Sequence, residues 1–181
     1  ADGGNSNLIA RGQQWFFTVR PSDGRSFGPL AVSHVITIAN VAPVANNALL
    51  KSSNATDPLK FTSKDSITVS FDFQDQDSDP ALGSIYTFFV NGVSAKSGTE
   101  NTLGIDEEDD AGNKIISAGK TIRAEIIPSD GRDFGTLVST ATITVESSAP
   151  TVTDVSILPT KPTAASSLIL SYKFVDVDKD N

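Results

Sequence analysis

Twelve of the twenty-two acidic residues of this 181-residue chain fall in three short windows. Crowded carboxylates attract a cation. Asp72, Asp75, Asp77 and Asp79 form one window, residues 106–110 are acidic without a break, and Asp176, Asp178 and Asp180 close the sequence. Along an extended strand, residues i, i+2 and i+4 project from one side. Asp75, Asp77 and Asp79 are therefore predicted to present three hard oxygen ligands to one calcium ion, and Asp176, Asp178 and Asp180 to repeat the arrangement. An EF-hand loop is excluded, because the sixth position from Asp75 is Pro80 instead of glycine and the twelfth is Tyr86 instead of glutamate. The competing reading makes the aspartates solvated turn residues that also discourage edge-to-edge pairing. In the run Asp106, Glu107, Glu108, Asp109, Asp110 a solvated loop is the first expectation, with Asp109 and Asp110 as further candidate ligands.

A repeat sets the elements that must position these side chains. Pro21-Ser22-Asp23-Gly24-Arg25-Ser26-Phe27-Gly28 returns 107 residues later as Pro128-Ser129-Asp130-Gly131-Arg132-Asp133-Phe134-Gly135, seven positions of eight being identical. The same offset carries Gly12 onto Gly119 and Ala42-Pro43 onto Ala149-Pro150. A second match, at an offset of 101, joins the strand-like run beginning at Ile67 to the one beginning at Leu168. Residues 44–149 are thus expected to form one whole module, 1–43 the later part of a preceding module and 150–181 the opening of a following one. Ala-Pro at each junction suits a short, stiff connection, since proline fixes φ and drives the residue before it toward extended geometry.

Strand periodicity runs through the repeat. Ile67, Val69, Phe71 and Phe73 alternate with polar neighbours, as do Trp15, Phe17 and Val19 and their equivalents Ile122, Ala124 and Ile126. Val90-Asn91-Gly92-Val93 predicts a hairpin, because both central residues of a type I′ turn need positive φ. Residues 30–38 and 137–145 read as the last strand of each copy. No segment shows sustained helical periodicity. Some seven short strands per hundred-odd residues, separated by turn signals, predict an all-β fold of tandem immunoglobulin-like β-sandwich modules arranged as a rod.

Other chemistries find little to build on. Cysteine is absent, which removes disulfides and thiolate sites together. His34 stands alone, and its equivalent in the next copy is Ala141, so no repeated reaction depends on it. Asp23 and Asp130 sit in Pro-Ser-Asp-Gly turns, where aspartate bonds its own backbone. No catalytic residue is assigned and no enzymatic role is expected. A net charge of −8 repels phosphate backbones and anionic membranes, so nucleic acid is not an expected partner. Apolar runs are far too short to span a bilayer, and no membrane insertion is expected in this segment. Asn54-Ala55-Thr56 is a glycosylation sequon in a polar stretch.

The acidic segment after Phe73, the run from Tyr86 through Asn91-Gly92-Val93, Gly119-Lys120 before a strand, Pro128-Ser129-Asp130-Gly131 and Ala149-Pro150 together resemble the tandem immunoglobulin-like or PKD-like repeats of very large prokaryotic surface proteins. The resemblance covers essentially the whole chain, with Phe88-Phe89 where that family often carries tryptophan. It implies extracellular structural or adhesive arrays, commonly stiffened by calcium, and no catalytic residue.

The leading expectation is a structural repeat of an extracellular fibril or cell-surface stalk, whose partners are neighbouring repeats head to tail. A carbohydrate- or cell-binding module is the runner-up, with glycans as ligand and Trp15, Phe16 and Phe89 as its aromatic candidates. Completion of the terminal part-modules by another copy of the chain is disfavoured, because together they lack a counterpart of the core strand and hairpin at residues 84–93.

Overall fold

The computed structural model describes residues 9–178 of the chain. Fourteen strands follow one another: β1 (Gln14–Trp15), β2 (Thr18–Val19), β3 (Ala31–Val32), β4 (Ile36–Thr37), β5 (Val44–Ser52), β6 (Ile67–Gln74), β7 (Ile85–Val90), β8 (Val93–Gly98), β9 (Thr102–Leu103), β10 (Thr121–Ile127), β11 (Val138–Ser139), β12 (Ile143–Thr144), β13 (Thr151–Leu158) and β14 (Ile169–Val175). Among the described residues there is no helix, and so none long and apolar enough to cross a membrane.

In the middle of the chain two antiparallel sheets face each other. One has the order β5-β6-β9; the other runs β8-β7-β10, with β11 and β12 both paired to β10. Alternation aims one side of each strand inward: on β10, Ile122, Ala124 and Ile126 are fully buried, and on β6 Ile67 and Val69 are. They meet Leu50 of β5, Phe88 of β7, Leu103 of β9 and the loop residues Phe61, Ile115 and Ile116 in one core. The Asn91-Gly92 hairpin forms with both residues at positive φ and Val90 opposite Val93.

Backbone pairing repeats along with the sequence. Gln14↔Thr37, Trp15↔Ile36, Thr18↔Val32 and Val19↔Ala31 return 107 residues on as Thr121↔Thr144, Ile122↔Ile143, Glu125↔Ser139 and Ile126↔Val138. The β5–β6 pairing returns as β13–β14, including an irregularity at Asn47 and at Asp154, both at positive φ. Asn and Asp tolerate that conformation better than other residues with a Cβ.

The last strand of each copy, expected to be continuous over 30–38 and 137–145, is split in two. A hydroxyl enters the ladder: Phe17 N–H donates to Ser33 Oγ at 3.0 Å and Ala124 N–H to Thr140 Oγ1 at 3.0 Å, in place of a carbonyl. Each hydroxyl then donates to the next residue's carbonyl, His34 or Ala141. The strand kinks where serine or threonine competes with the backbone.

Every buried residue among those described lies between Pro43 and Ser148. The flanking copies expose the equivalent positions: Trp15 is 40% exposed and Ile157 58%, against 0% for Ile122 and 3% for Leu50. The core therefore lies between Pro43 and Ser148, with Phe88 fully buried in it. Replacing Phe88 by alanine is expected to lower the unfolding free energy by about 3–5 kcal/mol, measurable by urea denaturation. A loss under about 1 kcal/mol would mean the two sheets do not share this core.

Candidate metal centre

Three segments converge at the end of the sandwich where β6 stops. The first is the turn after Gln74. Asp75 Oδ1 accepts from Asp77 N–H at 2.8 Å and Asp79 N–H at 3.0 Å, and Ser78 adopts φ 65°. The chain here curls about the Asp75 carboxylate and does not continue as a strand, so the alternation that would align Asp75, Asp77 and Asp79 does not apply. Asp77 leaves the other two and accepts from the Val41 N–H at 2.8 Å.

The Pro-Ser-Asp-Gly turn after β10 is the second. Asp130 Oδ1 accepts from the N–H groups of Arg132 and Asp133, both at 2.7 Å. Leu82 N–H to Ser129 O at 2.8 Å and Ser129 N–H to Ser84 Oγ at 3.0 Å tie this turn to the loop that follows Asp79. Asp130, only 5% exposed, thereby joins Asp75 and Asp79 in a group whose carboxylate oxygens lie within 4.8 Å of one another. Asp130 was expected to serve its turn alone; it does so with Oδ1 and faces the cluster's surroundings with Oδ2.

Residues 40–43 are the third. Asn40 Nδ2 donates to Asp130 Oδ2 at 2.7 Å and to Asp133 Oδ2 at 2.8 Å, and its Oδ1 accepts from Arg11 Nη1 at 2.9 Å. Arg11 Nη1 also forms an ion pair with Asp79 Oδ2. Pro43 lies on Gly135 so closely that a Cβ there would sit 1.9 Å from the Pro43 carbonyl oxygen. The final glycine of the repeated octapeptide is needed for that approach.

The donor set is all oxygen, without histidine or thiolate, and so fits a hard cation such as calcium. Asp75 Oδ2 is buried with no hydrogen-bond partner, an acceptor with nothing to accept. Donation by the Asn40 carboxamide, then by the Asp133 N–H, holds the Asp130 carboxyl well below the usual carboxylate range, at about 2.

The second candidate set repeats part of the first. Asp176 Oδ1 accepts from Asp178 N–H at 3.0 Å, as Asp75 does from Asp77. Asp178 Oδ2 accepts from Ser148 N–H at 2.5 Å and Ser147 Oγ at 3.2 Å, as Asp77 does from Val41, the residue 107 positions before Ser148. Burial pushes the Asp178 carboxyl up, but the hydroxyl of Ser63, the Ser148 N–H and the Ser147 hydroxyl outweigh it and leave it lowered. Asp180 lies outside the described residues.

The acidic run folds on itself. Asp109 Oδ1 caps Ala111 and Asn113 N–H, Asp106 pairs with Lys114 at 2.7 Å, Glu107 pairs with Lys96 at 2.7 Å, and Asp110 is exposed. Asp109 and Asp110 are not brought into a metal-holding group among the described residues. Asn54 is half-buried in a turn, its Oδ1 accepting from Thr56 and Asp57 N–H. Compared with protein-family models, curated proteins and solved structures, the chain matches none.

Removing Asn40 tests the electrostatics of the cluster. A carboxyl depressed by folding contributes stability above its unfolded pKa, and that contribution is lost as pH falls through the folded value. For Asp130 the window runs from 3.8 down to about 2. In Asn40→Ala the Asp130 carboxyl carbon, followed by NMR, is expected to titrate closer to 3.8, with less acid-dependent stability in that window. An unmoved titration would assign the depression to the turn N–H groups instead.

Proposed function

We propose that the chain is a stretch of a tandem array of immunoglobulin-like β-sandwich modules, joined head to tail as a structural repeat of an extracellular fibril or cell-surface stalk. Residues 44–149 are one whole module, 1–43 the later part of its predecessor and 150–181 the opening of its successor. The role is mechanical. The observation that carries the reading is the strand register duplicated at an offset of 107, in which one copy closes a core and its neighbours expose the same positions. Both junctions also repeat one hydrogen bond, from the connecting peptide's N–H to a loop aspartate, which suits a rod that resists bending.

Calcium would bind at Asp75, Asp79 and Asp130, where three carboxylates converge and a buried oxygen lacks a partner. Calcium takes six to eight oxygens, so water and neighbouring oxygens would complete the shell. Bound between a module's loops and the preceding connection, it would stiffen the junction.

The carbohydrate- or cell-binding alternative needs exposed aromatics aimed at a ligand. Trp15 occupies the place of the core residue Ile122, so its exposure is that of an uncovered core face, whereas Phe16, 59% exposed, takes the place of Arg123 and is open to a ligand. Phe89 lies under the Arg123 guanidinium, 3.9 Å from the ring centroid, and is already occupied.

Single-molecule pulling of the 181-residue chain tests the proposal. The expected trace has one rupture releasing about 350–380 Å of contour, the extended length of some hundred-odd residues. Its force should be higher in calcium than in chelator, and Asp75→Asn combined with Asp130→Asn should abolish the difference. A release matching the whole chain would overturn the modular reading; equal forces would overturn the calcium reading.

A further inference from the structure

Arg11 stands on the turn before β1, in a segment that is otherwise mostly exposed, yet its side chain is only 25% exposed. Two backbone bonds, Gly12 N–H to Ile38 O and Ile38 N–H to Gln13 O, both 2.9 Å, fasten that turn to the peptide leading into residues 40–43. From there the guanidinium crosses the junction to Asp79 and gives Nη1 to Asn40. The next cation, Arg132 Nε, stands 3.9 Å from Asp79 Oδ2 and is far more exposed. The carboxylate cluster therefore has a charge partner within the chain, and it comes from the other side of the junction.

The repeat separates this charge from the needs of the fold. Gly12 and Gly119 both take positive φ, and each N–H bonds the equivalent carbonyl, of Ile38 or Val145, at 2.9 and 2.8 Å. The residue before Gly119 is Ala118, so the same turn forms without a guanidinium. At that second junction Ala118 lines a cavity of about 470 Å³ together with Lys64, Asp106, Lys114 and Asp178. Asp178 Oδ1 is buried there with no hydrogen-bond partner.

We propose that Arg11 is the resident cation of the first junction, holding Asp79 and Asn40 across it, and that Arg11 and a divalent cation exclude one another at the oxygens of Asp75, Asp79 and Asp130. The exclusion rests on the calcium reading above; the holding role does not. Two positive charges so close in a site with little solvent repel strongly, so an ion entering the cluster must turn the guanidinium out. The first junction would then be held in two ways, by an arginine at low calcium and by the metal at high calcium, whereas at the second the cation beside Asp178 is Lys64, which gives its Nζ to the Ala149 carbonyl at 2.7 Å.

Arg11→Ala in the full chain tests this, because it installs the residue that the next copy already carries in the same turn. In chelator, hydrogen exchange at the Val41 amide should quicken by about tenfold, as expected for loss of an anchoring ion pair. Exchange along β10 should stay unchanged. Isothermal titration with calcium chloride should show the variant binding about tenfold or more tightly than the wild type. Val41 exchange unchanged in chelator would overturn the holding role, and equal calcium affinities would overturn the exclusion. Faster exchange with no calcium bound by either protein would leave Arg11 as the junction's cation and remove both the exclusion and the calcium reading.

Discussion

The Asp130 carboxylate divides its two oxygens between separate tasks, and the junction is built outward from that division. Oδ1 closes the turn after β10 by taking two backbone N–H groups, which fixes the side chain's direction. Oδ2 is then obliged to face Asn40, and Asn40, having given its amide to the carboxylates, has only its carbonyl oxygen left for Arg11. A turn belonging to one sandwich thus orients the peptide that enters it. Charged groups buried to this degree are stable only when each is met by a donor or an opposite charge. That requirement, more than apolar burial, sets the geometry of residues 40–43.

Apolar burial governs the sandwich itself. Ile122, Ala124 and Ile126 need the β5-β6-β9 sheet over them, and Leu50, Ile67 and Val69 supply it. Trp15, Phe17 and Val19 present the same face without a cover, and Ile157, Leu168 and Leu170 present the opposite one. Short strand ladders hold their register in these uncovered copies because the pairing is set by local devices: a hydroxyl at Ser33 or Thr140, a left-handed residue at Asn47 or Asp154, and the octapeptide turn. The layout of each ladder is local, and only its burial depends on the rest of the sandwich.

That distinction explains what the sequence disclosed. Alternation on β6 and β10, the Asn91-Gly92 turn and the 107-residue offset all express local backbone chemistry, and each has its counterpart in the structure. The acidic windows were legible as composition but not as geometry. Alternation was extended past Gln74, where an aspartate capping its own turn redirects the chain and sends Asp77 to Val41. Asp130 enters the cluster from more than fifty residues away, and its turn motif explained it well enough to hide a second role. Its presence at the same point of both octapeptides, in the turn that ends on the glycine Pro43 packs against, was the available signal. Arg11 had none, since it departs from the repeat.

Gly135 bears on how such a protein tolerates change. Two groups obstruct a side chain at this position: the carbonyl of Pro43, which lies outside the strands that close the core, and the ring of Pro128, whose Cγ would stand 2.9 Å from a Cβ. A polypeptide begun at Val44 would lack the backbone obstacle and keep only the proline ring, so alanine there would cost it less than it costs the continuous chain. Mutational tolerance measured on residues 44–149 alone would therefore understate the constraint that the connecting peptide places on Gly135, a residue remote from it in sequence.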